Sequence, residues 1–249
     1  MDTELLVLLL TGFFAQLVDG ALGMAFGLIS TTVLITFGFA PAPASAIVHT
    51  AEIFTTGASA SWHTFYRNVD WRLVVRIGIA GVAGAIVGAW FLSSIDPAFM
   101  RPLVSGYLLL MGIYILLRAM RIVPSSVMRD RWHAVVGFVA GFLDASGGGG
   151  WGPVATSTLV GAGHPPRQAI GSVNTAEFFV TVAAATTFFF ELGASPWDQI
   201  VPLVLGGLFA APFGGWAAKR IPATALMTTV GVLVIVLALI QFSRMLKLA

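Results

Sequence analysis

Four acidic side chains, Asp19, Glu52, Asp144 and Glu177, lie in or against apolar segments of this sequence. An ionisable group at membrane depth costs roughly 2.5–3.5 kcal/mol on insertion scales, so it usually faces a cavity or a partner and marks a transport path. A carboxyl group in apolar surroundings also holds a proton more readily than one in water. The four acids are therefore candidates for proton coupling in a membrane transporter.

Each acid also has a simpler structural interpretation. Asp19 and Asp144 stand beside glycine-rich stretches, where a carboxylate can cap a helix by accepting hydrogen bonds from free backbone N–H groups. Glu52 and Glu177 stand within predicted helices, where a hydroxyl or backbone group can satisfy a buried carboxyl group. The sequence leaves both interpretations open.

Two glycine-rich stretches interrupt apolar runs, the first glycine break at 19–27 and the second at 144–152. A half-helix that ends in mid-membrane directs unpaired N–H groups and the positive end of its dipole into a cavity, which suits a small anion. We expect the anion to bind among residues of the breaks and of the helices beside them: Gly23, Gly27, Thr31, His49, Thr50, Ser146, Gly148, Gly149, Trp151, Thr156, Asn174 and Thr175.

Packing is the alternative role for several of these residues. Gly23 and Gly27 have the Gly-x-x-x-Gly spacing of close helix contacts, as do Gly148 and Gly152. A single hydroxyl group or a lone histidine is also more often a packing residue than a ligand or a proton relay. Trp151 differs, because it sits inside the second break and can line or gate a pathway.

The acids and the breaks belong to a stretch that occurs twice. Asp144 follows Asp19 by 125 residues (144 − 19), and Phe179 follows Phe54 by the same number (179 − 54). The other first-copy residues that recur at this spacing are Gly23, Gly27, Thr31, Leu34, Pro41, Thr50, Ala51 and Glu52. A repeat without gaps predicts two homologous repeats, 1–124 and 125–249, within one integral membrane domain.

The composition places the chain in a bilayer. It is 57% hydrophobic and only 10% charged over 249 residues, which leaves too little polar surface for a soluble globule. Apolar runs of roughly 17–25 residues recur, and runs such as 103–117 lack the alternation of a membrane β-barrel. We predict an all-α polytopic membrane protein without a nucleic-acid partner, because its basic residues lie in short loops beside apolar spans.

Basic residues in equivalent loops predict that the two repeats are inverted. The loop after the Glu52 helix holds three arginines, whereas its counterpart, 191–199, holds none. An inverted repeat needs an odd number of crossings, which a glycine-broken re-entrant helix pair plus about three spanning helices supplies. Both termini then lie outside, and these basic residues are cytoplasmic: Arg67, Arg72, Arg76, Arg118, Arg121, Arg129, Arg131, Lys219 and Arg220.

Two doubled motifs point to a family. The pattern Gly-Phe-x-Ala-x-x-x-Asp occurs at 12–19 and 137–144, each time before a glycine break, and His49-Thr50-Ala51-Glu52 is matched by Asn174-Thr175-Ala176-Glu177. This combination resembles the TauE/SafE family of sulfite exporters. The resemblance implies a prokaryotic inner-membrane transporter that exports small sulfur-containing anions such as sulfite or sulfoacetate. His49 in place of a second asparagine makes the two halves of the anion site unequal.

Energy coupling and competing functions follow from what the sequence contains. It holds no Gly-x-x-x-x-Gly-Lys-Ser/Thr motif, so we predict secondary transport driven by protons or by the anion gradient. A passive anion channel is the close alternative.

An intramembrane enzyme is disfavoured because no Gly-x-Ser-Gly or Gly-x-Gly-Asp motif is present, and a structural subunit would not need four paired acids. Without cysteine, the chain has no disulfide, no thiolate metal site and no cysteine nucleophile. We predict a transporter with no metal, no cofactor and no catalytic residue.

Overall fold

The structure, a computed structural model, describes residues 3–120 and 131–248. The helices within these residues are α1 Thr3–Leu22, α2 Phe26–Thr36, α3 Pro41–Phe65, α4 Trp71–Ser94, α5 Pro97–Ala119, α6 Trp132–Gly147, α7, α8 Pro166–Leu192, α9 Trp197–Arg220 and α10 Ala223–Leu248. Helix α7 begins as a π-helical turn, Gly152–Thr156, and continues directly as Ser157–Gly161. The predicted all-α fold is confirmed.

The length and apolarity of the helices confirm the membrane assignment. Among the described residues, five helices are long and apolar enough to cross a bilayer: Thr3–Leu22, Trp71–Ser94, Pro97–Ala119, Pro166–Leu192 and Ala223–Leu246. This protein is therefore an integral membrane protein.

Local sequence signals explain where several helices begin. Asp70 caps α4, because its carboxylate accepts hydrogen bonds from the N–H groups of Arg72 and Leu73. Asp96 caps α5 in the same way through the N–H of Ala98. Proline opens α3, α5 and α8, where its missing N–H costs nothing.

The second half of the chain repeats the helix order of the first. Helix α1 ends at Leu22 and α6 at Gly147, 125 residues later (147 − 22). Helices α3 and α8 begin at Pro41 and Pro166, with the same spacing (166 − 41). The predicted boundary between 124 and 125 lies outside the described residues, as do Arg121 and Arg129. Inversion of the repeats and the outside termini remain predictions.

The two halves interlock. Helix α1 packs along α9 and α6 along α4, while α3 pairs with α8 and α5 with α10. Gly84 and Gly88 allow α4 to approach α6 closely: a Cβ atom at Gly84 would lie 2.1 Å from the carbonyl oxygen of Phe138. The Gly-x-x-x-Gly spacing in α4 therefore serves close helix packing.

Both glycine breaks interrupt the helices. The first interruption covers residues 23–25 and the second residues 148–150. Gly23 and Gly148 adopt φ angles of 66° and 76°, which glycine takes without strain. Helix α1 has 20 residues and is longer than a half-helix, because it continues beyond Asp19 to Leu22. A re-entrant path for each helix pair remains a prediction.

Candidate functional site

The two glycine breaks contact each other in the core. A Cβ atom at Gly27 would lie 3.1 Å from the Cα atom of Gly149 and 3.2 Å from Oε1 of Glu52. A Cβ atom at Gly148 would lie 2.2 Å from Cγ2 of Thr31. Glycine therefore allows the two backbones to meet here, and we call this contact the junction.

Hydrogen bonds also join the two halves near the junction. The hydroxyl of Thr156 donates to the carbonyl oxygen of Gly23 over 2.8 Å, and the hydroxyl of Ser45 donates to that of Ala145 over 2.9 Å. Each bond links one half of the chain to the break of the other half. The position of each break is thus fixed by residues of the opposite repeat.

Asp144 caps the helix that follows the second break. Its Oδ1 atom accepts hydrogen bonds from the N–H groups of Gly150 and Trp151, over 2.8 and 3.0 Å. Its main-chain oxygen accepts from the N–H groups of Gly148 and Gly149, over 2.9 and 3.0 Å. The capping interpretation is confirmed for Asp144. The sequence suggested that these N–H groups would be unpaired, whereas Asp144 accepts a hydrogen bond from each of them.

Asp19 occupies the equivalent position in the first repeat. Its carboxyl group interacts with the main-chain N–H of Phe26, the first residue of α2. Its main-chain oxygen accepts from the N–H of Gly23 over 2.6 Å. Capping of α2 by Asp19 stays a prediction.

His49 joins the two repeats through a buried pair with Asp144. Its Nε2 atom lies 3.2 Å from Oδ2 of Asp144, and its Nδ1 atom lies 2.8 Å from the carbonyl oxygen of Ser45. A carbonyl oxygen only accepts hydrogen bonds, so Nδ1 carries a proton. A second proton then lies between Nε2 and Oδ2, and the pair is neutral overall whichever atom holds it.

The other two acids complete a buried cluster around this pair. Glu52 is 1% exposed and lies one helical turn after His49 on α3. Glu177 is 5% exposed, and its Oε2 atom has no hydrogen-bond partner among the described residues. Glu177 interacts electrostatically with Asp19, Glu52 and Asp144. The structure therefore brings all four predicted acids together, although they lie far apart in sequence.

Two predicted polar ligands retain unused hydrogen-bonding groups. Thr31 is fully buried, and its hydroxyl has no partner among the described residues. Asn174 donates from Nδ2 to the hydroxyl of Ser59 over 3.1 Å, while its Oδ1 atom is buried without a partner in the described part of the chain. The hydroxyl of Thr31 can donate to a bound anion, whereas Oδ1 of Asn174 can only accept a hydrogen bond.

Three other predicted ligands are satisfied within their own helices. The hydroxyl groups of Thr50, Ser146 and Thr175 each donate to the main-chain oxygen four residues earlier, over 2.7, 2.6 and 2.7 Å. The packing alternative describes these contacts. A role in anion binding stays a prediction for the three residues.

Trp151 is a core residue. Its side chain is fully buried, and its indole N–H donates to the carbonyl oxygen of Val173 over 3.1 Å. A Cβ atom at Gly81 of α4 would lie 2.5 Å from the indole ring. These contacts hold the second break against α4 and α8. The gating role of Trp151 stays a prediction.

Sequence analysis missed Tyr107 and Gln241. The phenol of Tyr107 donates to the carbonyl oxygen of Gly149 over 2.8 Å. Gln241 donates from Nε2 to the carbonyl oxygen of Thr32 over 3.0 Å and accepts from the hydroxyl of Ser105 over 2.7 Å. A lone polar group in an apolar helix was the available signal, since such a group needs a partner in a membrane.

The pair also accounts for the cluster that resembles a metal site. His49, Glu52 and Asp144 each offer one potential ligand atom, all within 4.8 Å of one another. The hydrogen bond between His49 and Asp144 already uses two of these atoms. We therefore assign no metal to the cluster.

Comparison with known proteins adds to this geometry. The family described as "Sulfite exporter TauE/SafE" matches residues 8–240. The chain is 41% identical over 226 residues to the "Probable membrane transporter protein YtnM" of Bacillus subtilis (strain 168), an alignment that covers 87% of this chain and 75% of the relative. No solved structure gives a significant match.

Proposed function

We propose, on the premise that this chain belongs to the TauE/SafE family of sulfite exporters, that it exports small sulfur-containing anions together with protons. Membership in the family makes it a membrane transporter and not an enzyme. Sulfite and organosulfonates such as sulfoacetate are the proposed substrates, and the prokaryotic inner membrane is the proposed location. The anion binds at the junction of the two glycine breaks.

The buried acid cluster at the junction is the observation that carries this proposal. Four ionised carboxylates beside a single histidine would repel an anion strongly in apolar surroundings, where charge interactions are poorly screened. Protons on the carboxyl groups remove this repulsion. An anion and protons therefore bind the junction together, which couples their transport.

Two unsatisfied oxygen atoms support Glu177 as one proton site. Oε2 of Glu177 and Oδ1 of Asn174 are buried acceptors without partners among the described residues, and the two residues lie one turn apart on α8. Buried acceptors without a donor are costly. A proton on Glu177 supplies the missing donor, while Asp19, Glu52 and Asp144 are the other proposed proton sites.

Flux measurements in proteoliposomes test the proposal. Uptake of sulfite or sulfoacetate is followed under an imposed pH gradient for the parent chain and for Glu52→Gln, Glu177→Gln and Asn174→Ala. Because glutamine cannot release a proton, we expect the pH-driven flux to fall at least about tenfold in both glutamine variants. Loss of the Asn174 amide should weaken apparent affinity for the anion.

Glu191→Gln is the matched control, since Glu191 lies exposed near the end of the same helix as Glu177. Its flux should equal that of the parent chain. Full coupled transport in both Glu52→Gln and Glu177→Gln would remove the proton-carrier role. Flux that rises linearly with substrate and ignores pH would indicate a passive channel instead.

A further inference from the structure

We propose that the carboxylate of Asp144 occupies the place that the substrate anion takes at the second glycine break, so that the anion binds only when Asp144 is protonated. This inference rests on the proposed anion site at the junction. It adds the group that links anion binding to proton binding and the contacts through which that link operates.

The second break presents the donors that suit an anion, and a carboxyl oxygen of the protein already occupies them. Oδ1 of Asp144 accepts from the N–H groups of Gly150 and Trp151 at the start of α7. The positive end of a helix favours a negative oxygen there. A sulfonate or sulfite oxygen has the same charge character as this carboxylate oxygen. The two groups therefore compete for the same N–H donors.

A buried hydroxyl beside the break indicates a ligand that Asp144 does not replace. The Thr31 side chain is fully buried, and its Oγ1 atom has no partner among the described residues. This atom would lie 2.8 Å from a Cβ atom at Gly148, directly against the break. An anion with several oxygen atoms can accept from this hydroxyl as well as from the break. Oδ1 of Asp144 bonds the N–H groups of the break but not this hydroxyl.

A nearby carbonyl oxygen is kept away from the anion by Tyr107. The phenol of Tyr107 donates to the carbonyl oxygen of Gly149. The same peptide group carries the N–H of Gly150, which donates to Asp144. That peptide is therefore held at both ends, with its oxygen toward Tyr107 and its N–H toward Asp144. The N–H of Gly150 therefore still faces the site when Asp144 no longer accepts its hydrogen bond.

Protonation of the His49–Asp144 pair offsets the charge of the bound anion. The 3.2 Å contact of Nε2 with Oδ2 implies one shared proton, because two bare acceptors would repel each other. One further proton leaves Asp144 neutral and His49 cationic. A neutral carboxyl oxygen accepts more weakly than a carboxylate, so the N–H groups of Gly150 and Trp151 can turn to the anion. One proton and one monovalent anion enter together, and the net charge of the junction does not change.

Other ionisable groups face Asp144 from four helices, and the test must separate them from it. Asp19 comes from α1, His49 and Glu52 from α3, Tyr107 from α5 and Glu177 from α8. Asp144 is distinguished from the other acids because its carboxyl oxygen bonds the N–H groups of Gly150 and Trp151.

Direct binding of methanesulfonate to the purified full chain tests the inference, because a sulfonate stays ionised between about pH 5 and pH 8. Calorimetry gives the affinity, and the pH change in weak buffer gives the protons taken up. In the parent chain we expect affinity to weaken by at least about tenfold between about pH 5 and pH 8, with net proton uptake on binding. Binding to Asp144→Asn should depend less on pH and take up about one proton fewer than binding to the parent chain, while Asp144→Glu should restore both effects.

Each outcome decides the inference. Binding to the parent chain that does not change with pH, or an equal pH dependence in Asp144→Asn, would overturn it. If Asp144→Asn does not fold, proton uptake by the parent chain and by Asp144→Glu still decides, since zero uptake in both contradicts the competition. No binding of methanesulfonate, sulfite or sulfoacetate to the folded parent chain at any pH would instead refute the anion site of the proposed function.

Discussion

Asp144 has three kinds of partner, which explains why a single residue can connect the parts of the site. One carboxyl oxygen caps α7, the other faces His49, and the main-chain oxygen closes the second break. A change in its charge therefore affects the break and the opposite repeat together. Asp19 holds the equivalent position in the first repeat, but the counterpart of His49 is Asn174, which cannot become cationic.

His49→Asn tests the contribution of the imidazole. Asparagine can still donate a hydrogen bond to Asp144, so the fold should persist, but the cation that balances a bound anion is lost. We expect the affinity for methanesulfonate to fall at least about tenfold, which corresponds to about 1.4 kcal/mol. His63→Asn, near the end of the same helix, should bind like the parent chain. Unchanged affinity in His49→Asn would show that the imidazole carries no charge that the anion senses.

For single residues, the sequence predicts burial better than it predicts which residues are in contact. Burial of the four acids follows from their apolar surroundings, and helix capping was one of the two interpretations of Asp19 and Asp144. The pairing of His49 with Asp144 could not be predicted, because it joins residues of different repeats through the tertiary packing of α3 and α6. The hydrogen-bond partner of a lone polar residue such as Tyr107 could not be predicted either.

Helix spacing is set by small residues at the contact of α4 with α6. A Cβ atom at Gly84 would lie 2.1 Å from the carbonyl oxygen of Phe138, which belongs to the rigid backbone of α6. Gly84→Ala should therefore destabilise the protein by about 1–3 kcal/mol through overpacking. The measurement is the thermal unfolding midpoint in detergent.

Gly106→Ala is the matched control for this prediction. The nearest atom to a Cβ at Gly106 is the ring edge of Phe242 at 3.9 Å, so alanine fits there. It should be neutral or stabilise the helix by up to about 1 kcal/mol. Equal stability of Gly84→Ala and the parent chain would mean that α4 and α6 are not held at this distance.

The elements themselves were largely predictable. Each predicted glycine break separates two helices in the structure, and equivalent helices keep the constant repeat spacing. The π-helical start of α7 was not foreseen. Pro153 has no N–H and cannot make the regular hydrogen bond to the residue four positions earlier, but the sequence alone does not say whether the chain then bends, breaks or widens.

At the scale of the whole molecule, a monovalent anion that crosses with the single proton of Asp144 moves no net charge, whereas a second coupled proton would carry positive charge. Sulfonate flux in proteoliposomes should therefore follow the pH gradient and stay unchanged under a potassium diffusion potential of either sign. Export then proceeds when the outward anion gradient exceeds the inward proton gradient. Flux that scales with the membrane potential would show that anion and proton do not move in equal numbers.

A sequence repeat does not predict that the two halves of the chain interlock. Equal spacing shows that two segments share a fold, but it does not say whether each half packs on itself or on the other. In the structure α1 packs along α9 and α6 along α4, so each broken helix pair is held by the opposite half. This exchange brings the two breaks together and creates the junction.

The position of a bound anion tests the central claim most directly. Bromomethanesulfonate carries a bromine atom whose anomalous scattering locates it in crystals grown at about pH 5, where a sulfonate stays ionised and carboxyl groups are more protonated. We expect a single bromine peak beside the second break, with sulfonate oxygens near Thr31 and the N–H groups of Gly150 and Trp151. A peak found only at the periphery of the helices would contradict it.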